Sequence, residues 1–79
     1  MTEQAVRFAV IHTPFIELDK LLKRENLAAT GGEAGLLIAA GLVRVNGEIE
    51  RRKRRKLYPG DRVATDKDRL MVVAEQHQR

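Results

Sequence analysis

Apolar and polar residues alternate near the start of the chain. Val6, Phe8 and Val10 lie on one side of an extended backbone, and Arg7 lies on the other. Side chains on a strand alternate between its two faces, so a period of two is typical of a strand buried on one side. We therefore predict a short, half-buried strand over residues 4–11.

A helical period follows this strand. Thr13 is a residue type favoured at a helix N-cap, and Pro14 suits the first helical position, where no backbone N–H is needed. The apolar residues of the next ten positions recur at helical spacing; they are Phe15, Leu18, Leu21 and Leu22. The pattern predicts a first helix over residues 14–25, with these four side chains on its buried side.

A second helix is predicted after Thr30. Thr30 and Glu33 have the spacing of a capping box, in which each side chain accepts the backbone N–H of the other residue. Gly41 suits the left-handed conformation that ends many helices. The predicted inward residues are Ala34, Leu37 and Ile38. Because the remaining residues are small or apolar, we expect the helix to be packed on most sides.

The rest of the chain has the pattern of short strands and tight turns. Asn46-Gly47 predicts a type I′ hairpin between residues 42–45 and 48–50. Pro59-Gly60-Asp61 predicts a turn before a strand at residues 62–64, and a turn at residues 66–68 precedes a last strand at residues 70–74. The polar tail, residues 75–79, is expected to fray. No long linker divides the chain, so residues 1–79 are predicted to form one domain.

Charge is concentrated in one place. Residues 51–56, here called the basic segment, are six consecutive Lys and Arg residues. Residues 1–50 contain five Lys or Arg against seven Asp or Glu, a net charge of −2, whereas residues 51–79 contain ten against four, a net charge of +6. A regular half-buried strand would bury three of the six cations, so the segment is predicted to be an exposed loop. Concentrated positive charge favours binding to polyanions, nucleic acid above all.

Composition argues against several other functions. The chain has no cysteine and no serine, and its two histidines, His12 and His77, are far apart in sequence. These absences disfavour nucleophilic catalysis and metal binding, so we predict no enzyme activity, no metal and no cofactor. The N-terminus has no signal-peptide pattern, and the nearly apolar run at residues 34–43 is too short for a membrane helix. The expected location is the cytoplasm.

The order of these elements resembles a known family. Two capped helices, then Gly41-x-Val43-x-Val45-Asn46-Gly47, then a basic stretch before Pro59-Gly60-Asp61, are similar to the S-four RNA-binding domain, named for the fourth protein of the small ribosomal subunit. The resemblance covers residues 15–64. The residues flanking the motif look most like the short, stand-alone bacterial branch of the YbcJ type.

The resemblance implies an α+β fold in which two short helices pack on a small twisted antiparallel sheet. It also implies RNA binding through the second helix and the following hairpin. The family pattern has basic residues at positions that here are Glu17, Gly31 and Gly35. The helix-borne phosphate contacts therefore do not transfer to this chain, and we expect the basic segment to replace them.

We thus predict a non-catalytic protein that docks on structured RNA, with ribosomal or transfer RNA as the expected classes. Arg44 is expected to lie beside the basic segment, and Gly31 and Gly32 to allow close approach of an RNA backbone to the second helix. The predicted RNA-binding residues are Arg44, Arg51, Arg52, Lys53, Arg54, Arg55, Lys56, Lys20, Lys23, Gly31 and Gly32.

Two alternatives remain open at this point. The small residues Gly31, Gly35 and Ala39 form a bare face of the second helix that suits a protein partner. The chain would then be an interaction module, or an accessory subunit of an RNA-modifying or ribosome-associated complex. DNA is also compatible with a basic loop, because charge alone does not recognise the 2′-hydroxyl. No membrane partner is predicted.

Overall fold

The computed structural model describes residues 5–75, which form two helices and seven strands. In chain order the elements are β1 (Val6–Ile11), β2 (Ile16–Glu17), α1 (Leu18–Arg24), α2 (Gly31–Ala39), β3 (Arg44–Val45), β4 (Glu48–Ile49), β5 (Lys56–Leu57), β6 (Arg62–Ala64) and β7 (Arg69–Ala74). Five strands form one sheet in the order β1-β7-β6-β3-β4, and β2 pairs with β5 in a separate two-stranded ladder.

The predicted α+β class with two short helices is confirmed, but the sheet is mixed and not wholly antiparallel. β1 pairs with β7 in parallel, with Val6 opposite Arg69 and Ile11 opposite Ala74. The other pairs, β7 with β6, β6 with β3, and β3 with β4, are antiparallel. Alternation along a strand determines which side chains share a face, but it does not determine the direction of the neighbouring strand.

The hydrophobic core lies between the two helices and one face of the sheet. Its largest fully buried side chains are Ile11, Leu18, Leu21, Leu22, Ile38, Leu57, Leu70, Val43, Val45, Val63 and Val72. β1 is half-buried as predicted, but its inner face carries Ala9 and Ile11, whereas Phe8 is 65% exposed on the outer face. The Arg7 guanidinium is also on the inner side, where it donates to the carbonyl of Glu25 just after α1.

The first helix begins later than predicted. α1 starts at Leu18, and its N-cap, Glu17, makes no side-chain capping hydrogen bond. The Thr13 hydroxyl instead donates to the carbonyl of Phe15 at 2.7 Å. Residues 16 and 17 are extended because they pair with Leu57 and Lys56 of β5. That ladder satisfies their backbone groups, so tertiary pairing overrides the local signal from Thr13 and Pro14.

The second helix follows the prediction closely at both ends. The Thr30 hydroxyl accepts the N–H of Glu33 at 3.0 Å, and Gly41 has a positive φ of +78°. The Glu33 carboxylate accepts the N–H of Ala29, not that of Thr30 as predicted. The expectation of packing on most sides is wrong, because Leu36 is 72% exposed.

The predicted turns are also present. Asn46 and Gly47 have φ values of +53° and +89°, as a type I′ hairpin requires. Gly60 has a φ of +98°, and the neighbouring N–H of Asp61 donates to Tyr58. At the end of β7, the N–H of Glu75 donates to Ile11, so the predicted fraying does not include Glu75; residues 76–79 lie outside the described part.

Neither helix found in residues 5–75 has the length and apolar content needed to cross a membrane. Within the same residues, no group of three or more His, Cys, Asp or Glu side chains is arranged to hold a metal ion.

The two threonines proposed as helix caps should differ in their effect on stability. Thr30→Ala removes a real N-cap and should lower the free energy of unfolding by about 1 kcal/mol. Thr13→Ala removes only an exposed hydroxyl contact outside α1, and should cost no more than about half as much. Urea denaturation followed by circular dichroism measures both. Equal losses would contradict the observed start of α1.

Candidate nucleic-acid interface

The basic segment is organised by one buried carboxylate, that of Glu50. Glu50 is only 7% exposed, although it directly precedes six cationic residues. Its oxygen Oε2 accepts the Arg52 Nε–H and the Arg52 backbone N–H, both at 2.9 Å. Its other oxygen, Oε1, accepts Nη2 of Arg52 at 2.9 Å and Nη1 of Arg55 at 2.8 Å. Two of the six cations are therefore fixed in position by one carboxylate, Arg55 partly buried and Arg52 with a largely exposed side chain.

These contacts determine the ionisation of Glu50. The hydrogen bond from the Arg52 side chain is the largest influence, and those from Arg55 and the Arg52 backbone act in the same direction. Together they outweigh the cost of burying the charge and hold the pKa of Glu50 well below its usual range. The same pairing raises the pKa of Arg52. Both partners are therefore charged at neutral pH.

The backbone of the basic segment forms the missing cap of α1. The carbonyl of Arg55 accepts the N–H of Leu18 at 2.9 Å, and the carbonyl of Lys53 accepts the N–H of Asp19 at 3.0 Å. The first N–H groups of a helix have no partner within the helix, so these carbonyls replace a capping side chain. The start of α1 and the shape of the basic segment are therefore coupled.

The Arg51 side chain caps the C-terminal end of α2. Its Nη1 donates to the carbonyl of Ala39 at 2.8 Å, near the end of α2. A cation at a helix C-terminus satisfies a free carbonyl and interacts favourably with the helix dipole. The guanidinium lies so close to Gly41 that a Cβ there would be 2.9 Å from Nη2 of Arg51. Gly41 thus provides both a left-handed backbone and the space for this side chain.

Lys53 lies over the middle of α2. A Cβ at Gly35 would be 3.3 Å from Lys53 Cε and 3.6 Å from its Nζ. The absence of a side chain at Gly35 therefore lets Lys53 extend its ammonium group across the helix. A positive charge is present at this position of α2 although the residue itself is glycine. The small-residue face, predicted as a protein-binding surface, is in contact with the basic segment at both Gly35 and Ala39.

The last cations of the segment surround a shallow depression. This depression, of about 500 Å³, is lined by Arg52, Arg54, Arg55 and Lys56. Arg54 is exposed and, within residues 5–75, forms no hydrogen bond or ion pair through its side chain. The Lys56 ammonium lies 4.8 Å from the centre of the Phe15 ring, a cation–π contact.

An aromatic pair lies beside Lys56. The rings of Phe15 and Tyr58 are 5.9 Å apart at their centres and tilted by 48°. Phe15 was predicted to be on the buried side of the first helix, but it precedes α1 and is only half-buried. Tyr58 remains 49% exposed. No pattern in the sequence indicates this pair, because only the β2–β5 ladder brings the two residues together.

The predicted site residues on the two helices differ in how close they lie to the basic segment. Lys20 lies close to it, because its ammonium pairs at 3.4 Å with Glu17, whose strand partner is Lys56. Lys23 is exposed, but no hydrogen bond or ion pair between described residues connects it to the segment. Gly31 has open space where a Cβ would lie, and Gly32 has only Thr30 nearby.

Arg44 is not next to the basic segment. Its neighbours along the strand, Val43 and Val45, are buried against the helices, so Arg44 projects from the opposite face of the sheet. The basic segment contacts α1 and α2 on the helix side. The expectation that Arg44 extends the basic patch is therefore wrong, although its contact with RNA stays a prediction.

The chain is similar to known proteins in sequence and in fold. The family described as the S4 domain matches residues 9–73. This chain belongs to the S4 domain family. YbcJ of Escherichia coli strain K12, whose name assigns it RNA binding only provisionally, is 39% identical over 67 residues, which cover 85% of this chain and 96% of YbcJ. An uncharacterised YbcJ of Shigella flexneri matches equally well.

The match extends to a solved structure. The solution structure of E. coli YbcJ, described as containing an alpha-L motif involved in RNA binding, superimposes with a TM-score of 0.64 at 36% identity. The comparison covers 94% of this chain and 92% of the YbcJ chain. The resemblance inferred from the sequence, including its YbcJ-like branch, is therefore confirmed.

Removing the Glu50 carboxylate should destabilise the protein in a pH-dependent way. Because the folded pKa of Glu50 lies below its usual value of 4.5, the carboxylate contributes stability above that pH and loses it progressively as the pH falls. Glu50→Gln should therefore lower the free energy of unfolding by about 2 kcal/mol at neutral pH. The difference from the native chain should shrink below about pH 4.

The measurement is urea denaturation of both chains across a pH series. Glu48→Gln is the matched control, because Glu48 is an exposed carboxylate two residues away on β4. This control should change stability by less than about 0.5 kcal/mol. A difference between the native chain and Glu50→Gln that stays constant down to acidic pH would show that folding does not lower the pKa of Glu50, and would contradict stabilisation of its charge by Arg52 and Arg55.

Proposed function

We propose that the protein binds structured RNA without catalysing a reaction, and that it does so through the helix side of the basic segment. The observation that carries this proposal is the arrangement around Glu50. That carboxylate fixes Arg52 and Arg55, and the side chains of Lys53, Arg54 and Lys56 point outward and are exposed. A flexible run of six cations becomes a shaped, positively charged surface.

Pre-organisation matters for affinity. A disordered basic tail would lose conformational freedom at each contact with a phosphate, whereas side chains already held by packing lose less. Lys53 rests on α2 at Gly35, and Lys56 rests on the Phe15 ring. Their ammonium groups are therefore restricted before RNA arrives. Arg54 supplies a guanidinium that can donate two parallel hydrogen bonds to one phosphate.

Several features favour RNA with a defined shape. The related YbcJ structure is described as having a motif involved in RNA binding, and this chain has the same fold. Phosphate contacts fix position and orientation and do not by themselves read base sequence. Tyr58, at the edge of the surface, is exposed enough to stack on an unpaired base or a ribose. Ribosomal and transfer RNA are the classes of folded RNA that we propose as ligands.

Loss of the outward cations should weaken binding through the salt-dependent part of the affinity. We expect the triple variant Lys53→Gln, Arg54→Gln, Lys56→Gln to bind a structured RNA hairpin more weakly, with a salt slope lower by about two to three. Fluorescence anisotropy across a salt series measures the slope. Arg52 and Arg55 are left unchanged, because their removal would leave the Glu50 carboxylate buried without partners.

The matched control keeps the charges and changes only the side chains. In the variant Lys53→Arg, Arg54→Lys, Lys56→Arg, the slope should remain within about half a unit of the native value. A DNA duplex of the same sequence tests whether the protein distinguishes RNA. An unchanged slope in the glutamine variant would exclude the basic segment as the phosphate-binding surface. No binding to structured RNA by the native chain would exclude the proposed function.

A further inference from the structure

The outer face of the five-stranded sheet, opposite the helices, is uncovered in residues 5–75. Strand register aligns one row of residues across all five strands of this face. In the order of the strands across the sheet, β1-β7-β6-β3-β4, the residues of this row are Val6, Arg69, Ala64, Arg44 and Ile49. A second row contains Phe8, Met71 and Arg62, and a third contains Val10 and Val73.

The charges of these rows have one sign. The ten outer-face residues include three arginines, Arg44, Arg62 and Arg69, and no carboxylate. All three are exposed, and within the described residues none of their side chains forms a hydrogen bond or an ion pair. Opposite charges on neighbouring strands stabilise each other, but these rows contain no carboxylate that could pair with the three arginines. The absence of carboxylates leaves a surface that is complementary to an anion.

The three arginines surround a hollow. The hollow has a volume of about 720 Å³, and its lining includes all three arginines together with Ala64, Gly47 and Met71. Ala64 lies between Arg69 and Arg44 in the first row, and its small side chain leaves space between the two guanidinium groups. Because neighbouring strands are about 4.8 Å apart, the Cα atoms of Arg69 and Arg44 are about 10 Å apart.

An aromatic ring lies next to this hollow. Phe8 is 65% exposed and pairs in register with Met71, which lines the hollow. Apolar side chains of this size are normally turned inward, and on β1 it is Ala9 and Ile11 that are buried. A flat exposed ring beside guanidinium groups offers a stacking surface for one base and hydrogen-bond donors for the adjacent phosphates.

We propose that the outer sheet face is a second RNA-binding surface, and that it takes an unpaired stretch of RNA. Its phosphates would contact Arg44, Arg62 and Arg69, and one base would stack on Phe8. A base is available for such stacking only when it is not already stacked within a duplex. The basic segment, on the opposite side of the molecule, would hold the folded part of the same RNA.

A second copy of this chain is a poorer occupant of the face. A symmetric pair of these faces would bring together two sets of three arginines with no carboxylate to separate them. Like charges placed opposite one another across an interface cost several kcal/mol. An acidic protein would satisfy the charges, but it would not account for the open hollow beside a single exposed ring.

The decisive experiment maps where RNA binds. Amide chemical shifts of the ¹⁵N-labelled full chain are recorded while short oligouridylate is added, and again with the structured hairpin. We expect oligouridylate to shift amides on β6, β7 and β1, including those of Ala64 and Met71. The hairpin should instead shift amides of the basic segment and the start of α1.

Two variants test the ring and the charges. Phe8→Leu keeps an apolar side chain at an exposed site and should weaken oligouridylate binding at least about fivefold, the lower limit for losing one base–aromatic stack. Leu36→Ala is the control, because it shortens an exposed apolar side chain on α2, on the other side of the sheet, and it should leave oligouridylate binding unchanged. Arg44→Gln with Arg69→Gln should lower the salt slope for oligouridylate by about 1.4.

This inference rests on the proposed function in one respect only, namely that the ligand is RNA. The outcomes of the experiment therefore distinguish failure of the second surface from failure of the proposed function. Oligouridylate shifts confined to residues 51–56, or unchanged affinity in Phe8→Leu, would overturn the second surface while leaving hairpin binding intact. Binding to neither RNA would overturn both proposals. Shifts on the sheet face with a weakened Phe8→Leu variant would support the second surface.

Discussion

A buried carboxylate needs positive partners, and Glu50 obtains them from the two arginines that follow it at positions 52 and 55. This requirement bends the chain after β4 into a compact loop. The bend brings the carbonyls of Lys53 and Arg55 against the first N–H groups of α1. It also places Lys56 in the β5 strand that pairs with β2. The start of the first helix, the small ladder and the cationic surface therefore all depend on one ionised group.

The same arrangement explains the unusual composition of α2. Gly35 leaves room for the aliphatic chain of Lys53, and Gly41 leaves room for the guanidinium of Arg51. A helix rich in small residues usually suggests a close neighbour, and here that neighbour is the basic segment of the same chain. The positive charge that the family resemblance led us to expect on this helix is thus placed over it by the loop. Substitution at Gly35 would displace Lys53 before it affected any partner.

The structure also divides the positive charge between two sides of a thin molecule. The basic segment lies with the helices, whereas Arg44, Arg62 and Arg69 lie on the opposite face of the sheet. The two surfaces differ in chemistry. One is a cluster of amines and guanidinium groups beside an aromatic pair, and the other is an apolar sheet face with isolated arginines. This difference favours two kinds of contact with RNA over a single extended patch.

Local signals in the sequence determined much of this protein. The Thr30 cap, the Asn46-Gly47 hairpin and the Pro59-Gly60-Asp61 turn all appear as predicted, because each depends on a few neighbouring residues. The family motif, and with it the α+β class, was readable for the same reason. Only the tertiary structure decided the direction of β1, the late start of α1, the burial of Glu50 and the position of Arg44. Those features depend on pairing between residues distant in sequence, for which alternation, capping preference and charge count contain no information.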